Sequence, residues 1–378
     1  MKKLINLLIF LLILNAGCTS SFIKLDFVPR STDINQFGIT GKRNFHIEED
    51  PGDSLVLRWS SSTKGGYRNG SIVAADKYIF VSDLSGRIYC FNYETGETKG
   101  FLDYKGIIKA NPVILNNTLV FLSMPRNRDY TDLIFYDLPI AKERYSTKIE
   151  GKVVTELLLL NNGVVFITNE AIIYKYGMRG EKIFGVKSEH YTSSNLLAMG
   201  DEIILLSEKG EVVFIDVNSG ITLRTYQVSE EPLNNGAIES DILYFTDYHG
   251  KIYSFDLLQK RVINVKELNE KFKMTPVADE KNIYIGGLSG KFYAIDKNTL
   301  EIKWVVNTEG ILNASPLVTK SRIVIPDLNK HLFIVEKERG RINVKMSFEG
   351  RIKVTPIFYK KKLFIGIDDG IINCYDTY

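Results

Sequence analysis

A ten-residue stretch in the second half of the chain decides the fold: it reads Gly287-Leu-Ser-Gly290-Lys-Phe-Tyr-Ala-Ile-Asp296. The same pattern stands 40 positions earlier as Gly250-Lys-Ile-Tyr-Ser-Phe-Asp256. Its anchor positions are Gly210, Gly250, Gly290, Lys330 and Gly370. Looser copies in the first half contain Gly86, Asp137 and Tyr176. These are eight copies, and a fixed period of this length is typical of a repeat architecture.

A second marker gives the same count of eight. It is a small residue, often followed by proline, at the entry to an apolar strand. Its copies are Ser71, Asn111, Thr155, Asn195, Gly236, Thr275, Ser315 and Thr355. The copies lie 39 to 44 residues apart, so two independent features keep one register.

Each unit reads as four short strands. In the clearest unit they cover residues 315–319, 321–326, 330–336 and 340–346. Near-alternation of β-branched and aromatic residues is typical of strands, and four antiparallel strands in about 40–45 residues form one propeller blade. The sequence therefore predicts an all-β fold, an eight-bladed β-propeller over residues 55–378.

The two ends of this propeller are expected to meet. The chain stops just after the third strand of the last unit, and residues 54–59 resemble the fourth strand that ends at Trp304. We expect this first strand to complete the last blade beside residues 371–376, which closes the ring and removes an open edge. The repeated glycines predict hairpin turns with positive φ, and the repeated aspartates predict turn caps.

Composition and charge exclude several classes of protein. Of 378 residues, 44% are hydrophobic and 25% are charged, which excludes wholesale disorder. A net charge of +3 provides no concentrated field for nucleic acid. Three Cys exclude a four-Cys zinc site, and the four His show no ligand spacing. We expect no metal, no cofactor and no nucleic-acid partner.

The first residues predict export and anchoring. Residues 1–18 have a basic start, a short apolar run and two small residues before Cys18, which resembles a bacterial lipoprotein signal. The alternative is a plain signal peptide with a chance Cys. We predict lipidation at Cys18. In enteric-type lipoproteins an Asp at the next position retains the protein at the inner membrane, so Thr19 favours the outer membrane. Residues 19–54 show no clear period and are predicted to be a tether.

The repeat units resemble the PQQ-type propeller repeat. That pattern has a glycine, an apolar-Tyr-Ala core, an Asp, a Thr-Gly turn and a strand ending in Trp. Residues 290–304 follow this pattern, and Thr95-Gly96 of the first unit supplies the Thr-Gly turn. A lipoprotein leader followed by one such propeller resembles the BamB family of outer-membrane assembly lipoproteins. The resemblance implies a non-enzymatic scaffold. The acidic partner-binding residues of that family are not matched in residues 271–276, so no binding residue carries over.

Two alternatives remain open. One is another envelope-binding propeller, for polysaccharide or a surface complex, and the other is a degenerate quinoprotein dehydrogenase. A quinoprotein needs Ca²⁺ held by six to eight oxygens, several of them charged. The chain has no adjacent Cys pair and no extended acidic cluster, and its best acidic pair is Asp368-Asp369. We therefore expect no catalytic residue and no enzyme activity.

Two further features are candidate sites. The insertion at residues 124–132 is the most irregular loop, and Arg126, Arg128 and Tyr130 suit a protein interface, although a solvated loop is the simpler interpretation. Cys90 and Cys374 occupy matched positions in the first and last units. A disulfide is conceivable in an oxidising compartment, but two buried thiols are the favoured interpretation.

From these features we expect a lipid-anchored, monomeric binding protein at the periplasmic face of the outer membrane. Its expected partners are envelope proteins, and the resemblance implies the β-barrel assembly machinery. Loops on one face would contact the partner.

Overall fold

The computed structural model describes residues 21–378, and in this range the chain forms strands and turns but no helix. Eight sheets, or blades, surround a central channel. In each blade the strands are named a to d from the channel outward. The eightfold, all-β propeller predicted from the repeats is confirmed.

The a to d strands of the first four blades are as follows: Val73–Ala75, Tyr78–Ser82, Arg87–Asn92 and Thr98–Asp103; Val113–Leu115, Thr118–Pro125, Tyr130–Asp137 and Lys142–Glu150; Leu158–Leu160, Gly163–Ile167, Ile172–Gly177 and Lys182–Lys187; Leu197–Met199, Glu202–Leu206, Glu211–Asp216 and Thr222–Gln227. The second blade also contains Gly106–Ile107, which pairs with its b strand.

The a to d strands of the last four blades are as follows: Leu233–Glu239, Ile242–Asp247, Lys251–Asp256 and Arg261–Glu267; Val277–Ala278, Asn282–Gly286, Lys291–Asp296 and Ile302–Asn307; Leu317–Val318, Arg322–Pro326, His331–Glu336 and Ile342–Ser347; Ile357–Tyr359, Lys362–Ile367, Ile371–Thr377 and Leu55–Ser62. A short parallel pair, Gly70–Ser71 with Val354–Thr355, joins the first and last blades at the channel.

The first strand closes the ring as predicted. Leu55–Ser62 is the d strand of blade 8 and pairs antiparallel with Ile371–Thr377. Beyond the pair, the Ser54 amide donates to the Tyr378 carbonyl at 3.2 Å, and the Tyr378 amide donates back at 3.0 Å. Both ends of the propeller are therefore held in one sheet, which leaves no unpaired seam.

Burial follows the radial order of the strands. The b strand of blade 3 is buried at every residue, because both of its faces pack on neighbouring blades. The d strand of blade 5, Arg261–Glu267, alternates between exposed and half-buried residues, because only one of its faces packs. A four-stranded sheet cannot bury both faces alone, so the blades are stabilised by stacking around the ring.

In four of the eight blades, an aromatic residue of the d strand packs against the c–d turn glycine of the next blade. The Trp304 indole of blade 6 lies against Gly340 in the c–d turn of blade 7, and its Nε1 donates to the Lys337 carbonyl at 3.1 Å. Trp59 makes the matching contact with Gly96 across the closing interface. Any side chain at these glycines would overlap the indole, so packing requires glycine at this turn position.

The repeated glycine and aspartate have the predicted structural roles. Gly86, Gly210, Gly250, Gly290 and Gly370 all have φ between 78° and 92° in the b–c turns. The closing Asp of strand c accepts backbone N–H groups of the following turn, as when Asp296 accepts from Asn298 and Thr299. These bonds, with Lys303, lower the pKa of Asp296 to about 2.

The two matched cysteines are free and buried. Because they occupy the same position on their blades, both point in the same direction around the ring. Cys374 packs in the core between blades 8 and 1, whereas Cys90 packs in the core between blades 1 and 2. The two thiols therefore lie in different interfaces, as the favoured interpretation of two buried thiols expects.

The segment before the propeller differs from the tether that was predicted. Ile23, Leu25, Phe27, Phe37 and Phe45 are buried on the blades. Apolar residues at alternate positions, from Ile23 to Phe27, give this segment one face that packs. The predicted lipidation site, Cys18, lies outside the described residues.

Candidate functional site

The N-terminal segment makes the two faces of the ring different. Residues 33–47 run across the face formed by the a–b turns, here named the covered face. Hydrogen bonds join residues 33–47 to the a strand of every blade, at Ala74, Ile114, Leu159, Ala198, Ile238, Ala278, Val318 and Tyr359. The other face, formed by the b–c turns and the d–a loops, is named the open face.

Arg43 fixes the segment at the covered end of the channel. Its side chain is 0% exposed. Nη1 donates to the Phe37 carbonyl at 2.6 Å, Nη2 to the Leu157 carbonyl at 3.0 Å, and Nε to the Leu196 carbonyl at 3.0 Å. Burial lowers the pKa of Arg43 to about 10, opposed by the charge of Glu156, so the guanidinium stays protonated at neutral pH.

The second sequence marker lines the channel and joins neighbouring blades. Its side chains accept hydrogen bonds from the preceding blade at or next to the same position. The bonds are Glu156 N–H to Asn195 at 2.9 Å, Asn195 N–H to Asn235 at 2.8 Å, Thr275 N–H to Ser315 at 3.0 Å, and Asn111 N–H to Glu156 at 2.6 Å. Strand a has no inner neighbour, so these side chains satisfy its edge.

Glu156 is the acidic group of the channel. Burial raises its pKa to about 7, and the Asn111 N–H, Arg43 and Arg68 oppose this rise. Sequence reasoning placed Glu156 in the repeat marker but assigned it no role. It also missed Arg43, because a buried cation outside the repeat has no signal in spacing or composition.

The open end of the channel is basic. A cavity of about 140 Å³ lies there, with Phe37 at its floor and Arg68, Lys109 and Lys273 among its lining residues. Burial and the repulsion of Arg68 and Lys152 lower the pKa of Lys109. The cations of neighbouring loops are therefore close enough to act on one another.

The predicted interaction residues lie at the tip of one hairpin of the open face. The expected irregular loop is a four-residue turn, residues 126–129, between two long strands of blade 2. Arg126 and Arg128 are exposed, while Tyr130 is half-buried with the Lys148 ammonium 4.7 Å from its ring centre. The structure thus presents both arginines to solvent, and their binding role stays a prediction.

Fold and channel together define the class of this protein: it is an eight-bladed propeller of the PQQ-like repeat type. A family model described as "Outer membrane protein assembly factor BamB" matches residues 108–306, just over half of the chain. The chain belongs to this family. No curated protein sequence matches it.

Solved structures show the same fold at low sequence identity. BamB from Moraxella catarrhalis is 16% identical, with a TM-score of 0.72 over 85% of this chain and 100% of that chain. A europium-containing methanol dehydrogenase is 10% identical, with a TM-score of 0.76 over 89% and 90%. Quinohemoprotein alcohol dehydrogenase from Comamonas testosteroni is 11% identical, with a TM-score of 0.74 over 92% and 80%.

These dehydrogenases raise the question whether the channel residues fit a quinone with Ca²⁺. The ion takes six to eight oxygen ligands, several of them charged. Among the described residues that line the cavity, Glu156 is the only carboxylate, and it accepts the Asn111 N–H. In residues 21–378 no three His, Cys, Asp or Glu side chains are grouped to hold a metal. The donor set does not fit this cofactor.

Proposed function

We propose that this protein is a non-enzymatic scaffold of the bacterial envelope that acts in the assembly of outer-membrane β-barrel proteins. The observation that carries the proposal is membership of the BamB family, whose description names an assembly factor. Most of the chain outside the blades is short turns, and the one long extra segment is used to cover a face. Binding surfaces therefore remain on the open face and the outer strands.

A lipid on Cys18 would give this scaffold an orientation. Ile23 is held at the covered side of blade 2, where its amide donates to the Tyr136 hydroxyl and Leu25 donates to the Leu138 carbonyl. Ile23 is five positions after Cys18, and five extended residues span about 18 Å at most. The lipid would therefore hold the covered side near the membrane and direct the open face toward partners. Within residues 21–378, no helix is long and apolar enough to cross a membrane.

The test is capture of partners from the native membrane. The full chain, tagged at its C-terminus, is purified from detergent-solubilised envelopes of its own bacterium, beside a Cys18→Ser variant. We expect the wild type to recover subunits of the barrel-assembly machinery and the variant to leave the membrane fraction. Recovery without any assembly subunit contradicts the proposed function.

A second measurement separates scaffold from enzyme. The purified protein is titrated with pyrroloquinoline quinone and Ca²⁺ in the presence of an electron-accepting dye and several alcohols. We expect no dye reduction above the protein-free control, because the channel offers one carboxylate. Alcohol-dependent dye reduction would replace the scaffold proposal with a quinoprotein.

A further inference from the structure

Cations are concentrated on three neighbouring loops of the open face. The loops are residues 63–69, between blades 8 and 1; residues 104–111, between blades 1 and 2; and residues 125–130, the b–c turn of blade 2. They contain six cations and one acid. The cations, here named the basic sector, are Lys64, Arg68, Lys105, Lys109, Arg126 and Arg128.

The basic sector is not neutralised within the described chain. All six side chains are exposed, and none forms an ion pair within 4.0 Å in residues 21–378. The one acid of these loops, Asp129, pairs with Lys152 at 2.9 Å. Asp83, in the adjacent turn, is buried and accepts backbone N–H groups of Gly65 and Ser85. The positive charge is therefore available to a ligand.

Loops of blades 3 to 5 on the same face have the opposite charge. Loops at residues 188–195, 207–210 and 228–235 contain four glutamates and one lysine. The glutamates are Glu189, Glu208, Glu230 and Glu231. A flat anionic membrane would meet both sectors at once, and the second would repel it. Separate sectors of opposite charge instead favour a ligand whose negative charge is local, since complementary charge patterns steer and orient partners.

Apolar side chains lie beside the basic sector. Leu84, in the b–c turn of blade 1, is 36% exposed, and Val154, in the loop between blades 2 and 3, is 43% exposed. The Leu84 amide donates to the Gly66 carbonyl, which places this turn against the first loop of the sector. A partner segment with an apolar residue flanked by carboxylates would pack that residue on Leu84 or Val154. Its carboxylates would pair with the cations of the basic sector.

We propose that the basic sector docks an acidic segment of a partner protein that carries apolar residues among its carboxylates. The identity of that partner as an assembly subunit rests on the proposed function, whereas the chemistry of the contact rests on the open face alone. The Arg126 and Arg128 hairpin is then one edge of a site that extends to the channel mouth at Arg68 and Lys109.

The experiment measures anisotropy of a fluorescein-labelled peptide of repeated Glu-Leu-Glu-Glu, with a Gln-Leu-Gln-Gln peptide as control. The test variant of the full chain is Lys105→Glu with Lys109→Glu and Arg126→Glu. The matched control, Lys251→Glu with Lys291→Glu and Lys320→Glu, makes the same charge change at exposed lysines of blades 5 to 7. We expect the test variant to lose about tenfold in affinity or more, the control variant to stay within about twofold, and binding to weaken with salt.

Equal losses in the two variants, or equal binding of the Gln peptide, would overturn the proposal. Vesicles of phosphatidylglycerol and phosphatidylethanolamine form a second arm: sedimentation with them that the test variant alone abolishes, without peptide binding, would replace the protein partner by a lipid surface. Circular dichroism confirms that both variants fold. Envelope capture and peptide binding test the two proposals separately. Failure to capture any assembly subunit contradicts the proposed scaffold function. Peptide binding still decides whether the basic sector docks an acidic segment.

Discussion

The two faces of the ring are made by the same eight repeats and yet differ in how they are finished. On the covered face, residues outside the repeat bond to every a strand, and a fully buried Arg43 donates to carbonyls of two blades. On the open face, charges of both signs lie in two separate sectors, and the cations of the basic sector form no ion pair in residues 21–378. Contacts within the protein therefore constrain the residues of the covered face more than the charged turn residues of the open face.

This difference indicates how a symmetric scaffold acquires a specific surface. Glycine and aspartate positions hold the turns, so the remaining turn residues can vary at little cost to the fold. The covered face instead depends on particular side chains in one segment. Outside the turn glycines and aspartates, substitutions on the two faces should therefore differ in kind: loss of stability on the covered face and loss of binding on the open face.

The largest effect is expected at Arg43. In Arg43→Met, the carbonyls of Phe37, Leu157 and Leu196 lose their donors inside the protein. Each buried unpaired group costs about 1–3 kcal/mol, so we expect a loss of about 3 kcal/mol or more in unfolding free energy. Urea denaturation measures it, with Lys42→Met, an exposed cation one residue away, as the control. Equal losses in the two variants would show that the guanidinium does not fix the segment.

The turns of the two faces give the next largest contrast. Gly250, in a b–c turn of the open face, has φ of 92°, and an added Cβ would overlap the Glu270 carbonyl oxygen. Gly200, in an a–b turn of the covered face, has φ of 58° with nothing within 4 Å of an added Cβ. We expect Gly200→Ala to cost about 1 kcal/mol and Gly250→Ala several-fold more, measured by thermal unfolding.

Residues at the equivalent turns of other blades support the low cost expected for Gly200→Ala. The turn position of Gly200 is held by Ser240 in blade 5, with φ of 54°, and by Asp76 in blade 1, with φ of 49°. A similar loss of stability in both alanine variants would mean that backbone conformation alone, and not the crowded carbonyl, requires the open-face glycine.

The pH dependence of stability provides a third, smaller contrast. Burial raises the pKa of Glu156 from 4.5 to about 7, so between these values the folded chain binds a proton that the unfolded chain has lost. Stability contributed by the protonated form is therefore lost as pH rises through that window, by about 3 kcal/mol in total. Glu156→Gln should be more stable than wild type at pH 8 and nearly equal at pH 4 by urea denaturation. A constant difference between the variants at both pH values would contradict the shift.

The sequence predicts the blades of the ring better than the N-terminal segment that crosses the covered face. Blade count, turn glycines and the closing strand all follow from positions that recur with one period, so each copy supports the others. Residues 21–47 have no second copy, and the short alternation from Ile23 to Phe27 is too weak to separate a docked segment from a tether. Arg43 is less predictable still, because its partners are backbone carbonyls of distant blades, which leave no mark in the sequence.

The candidate site shows the same division. Arg126, Arg128 and Tyr130 can be selected from the sequence because they interrupt the repeat. Lys64 and Lys109 cannot be selected in the same way, because their loops keep the period of the repeat. The packing of consecutive blades 1 and 2 places these loops beside the hairpin.

The smallest effect on stability is expected at the open-face hairpin. Arg126 and Arg128 are exposed and form no ion pair in the described chain, so Arg126→Glu with Arg128→Glu should change the unfolding free energy by no more than about 0.5 kcal/mol. Tyr130→Ala should cost somewhat more, about 0.5–1 kcal/mol, because Lys148 lies over its ring. Residues selected for a partner need not stabilise the free protein, so these variants should reduce acidic-peptide binding while urea denaturation stays near wild type. A loss above about 2 kcal/mol in the arginine variant would show that the hairpin stabilises the ring, and the contrast between the two faces would then fail.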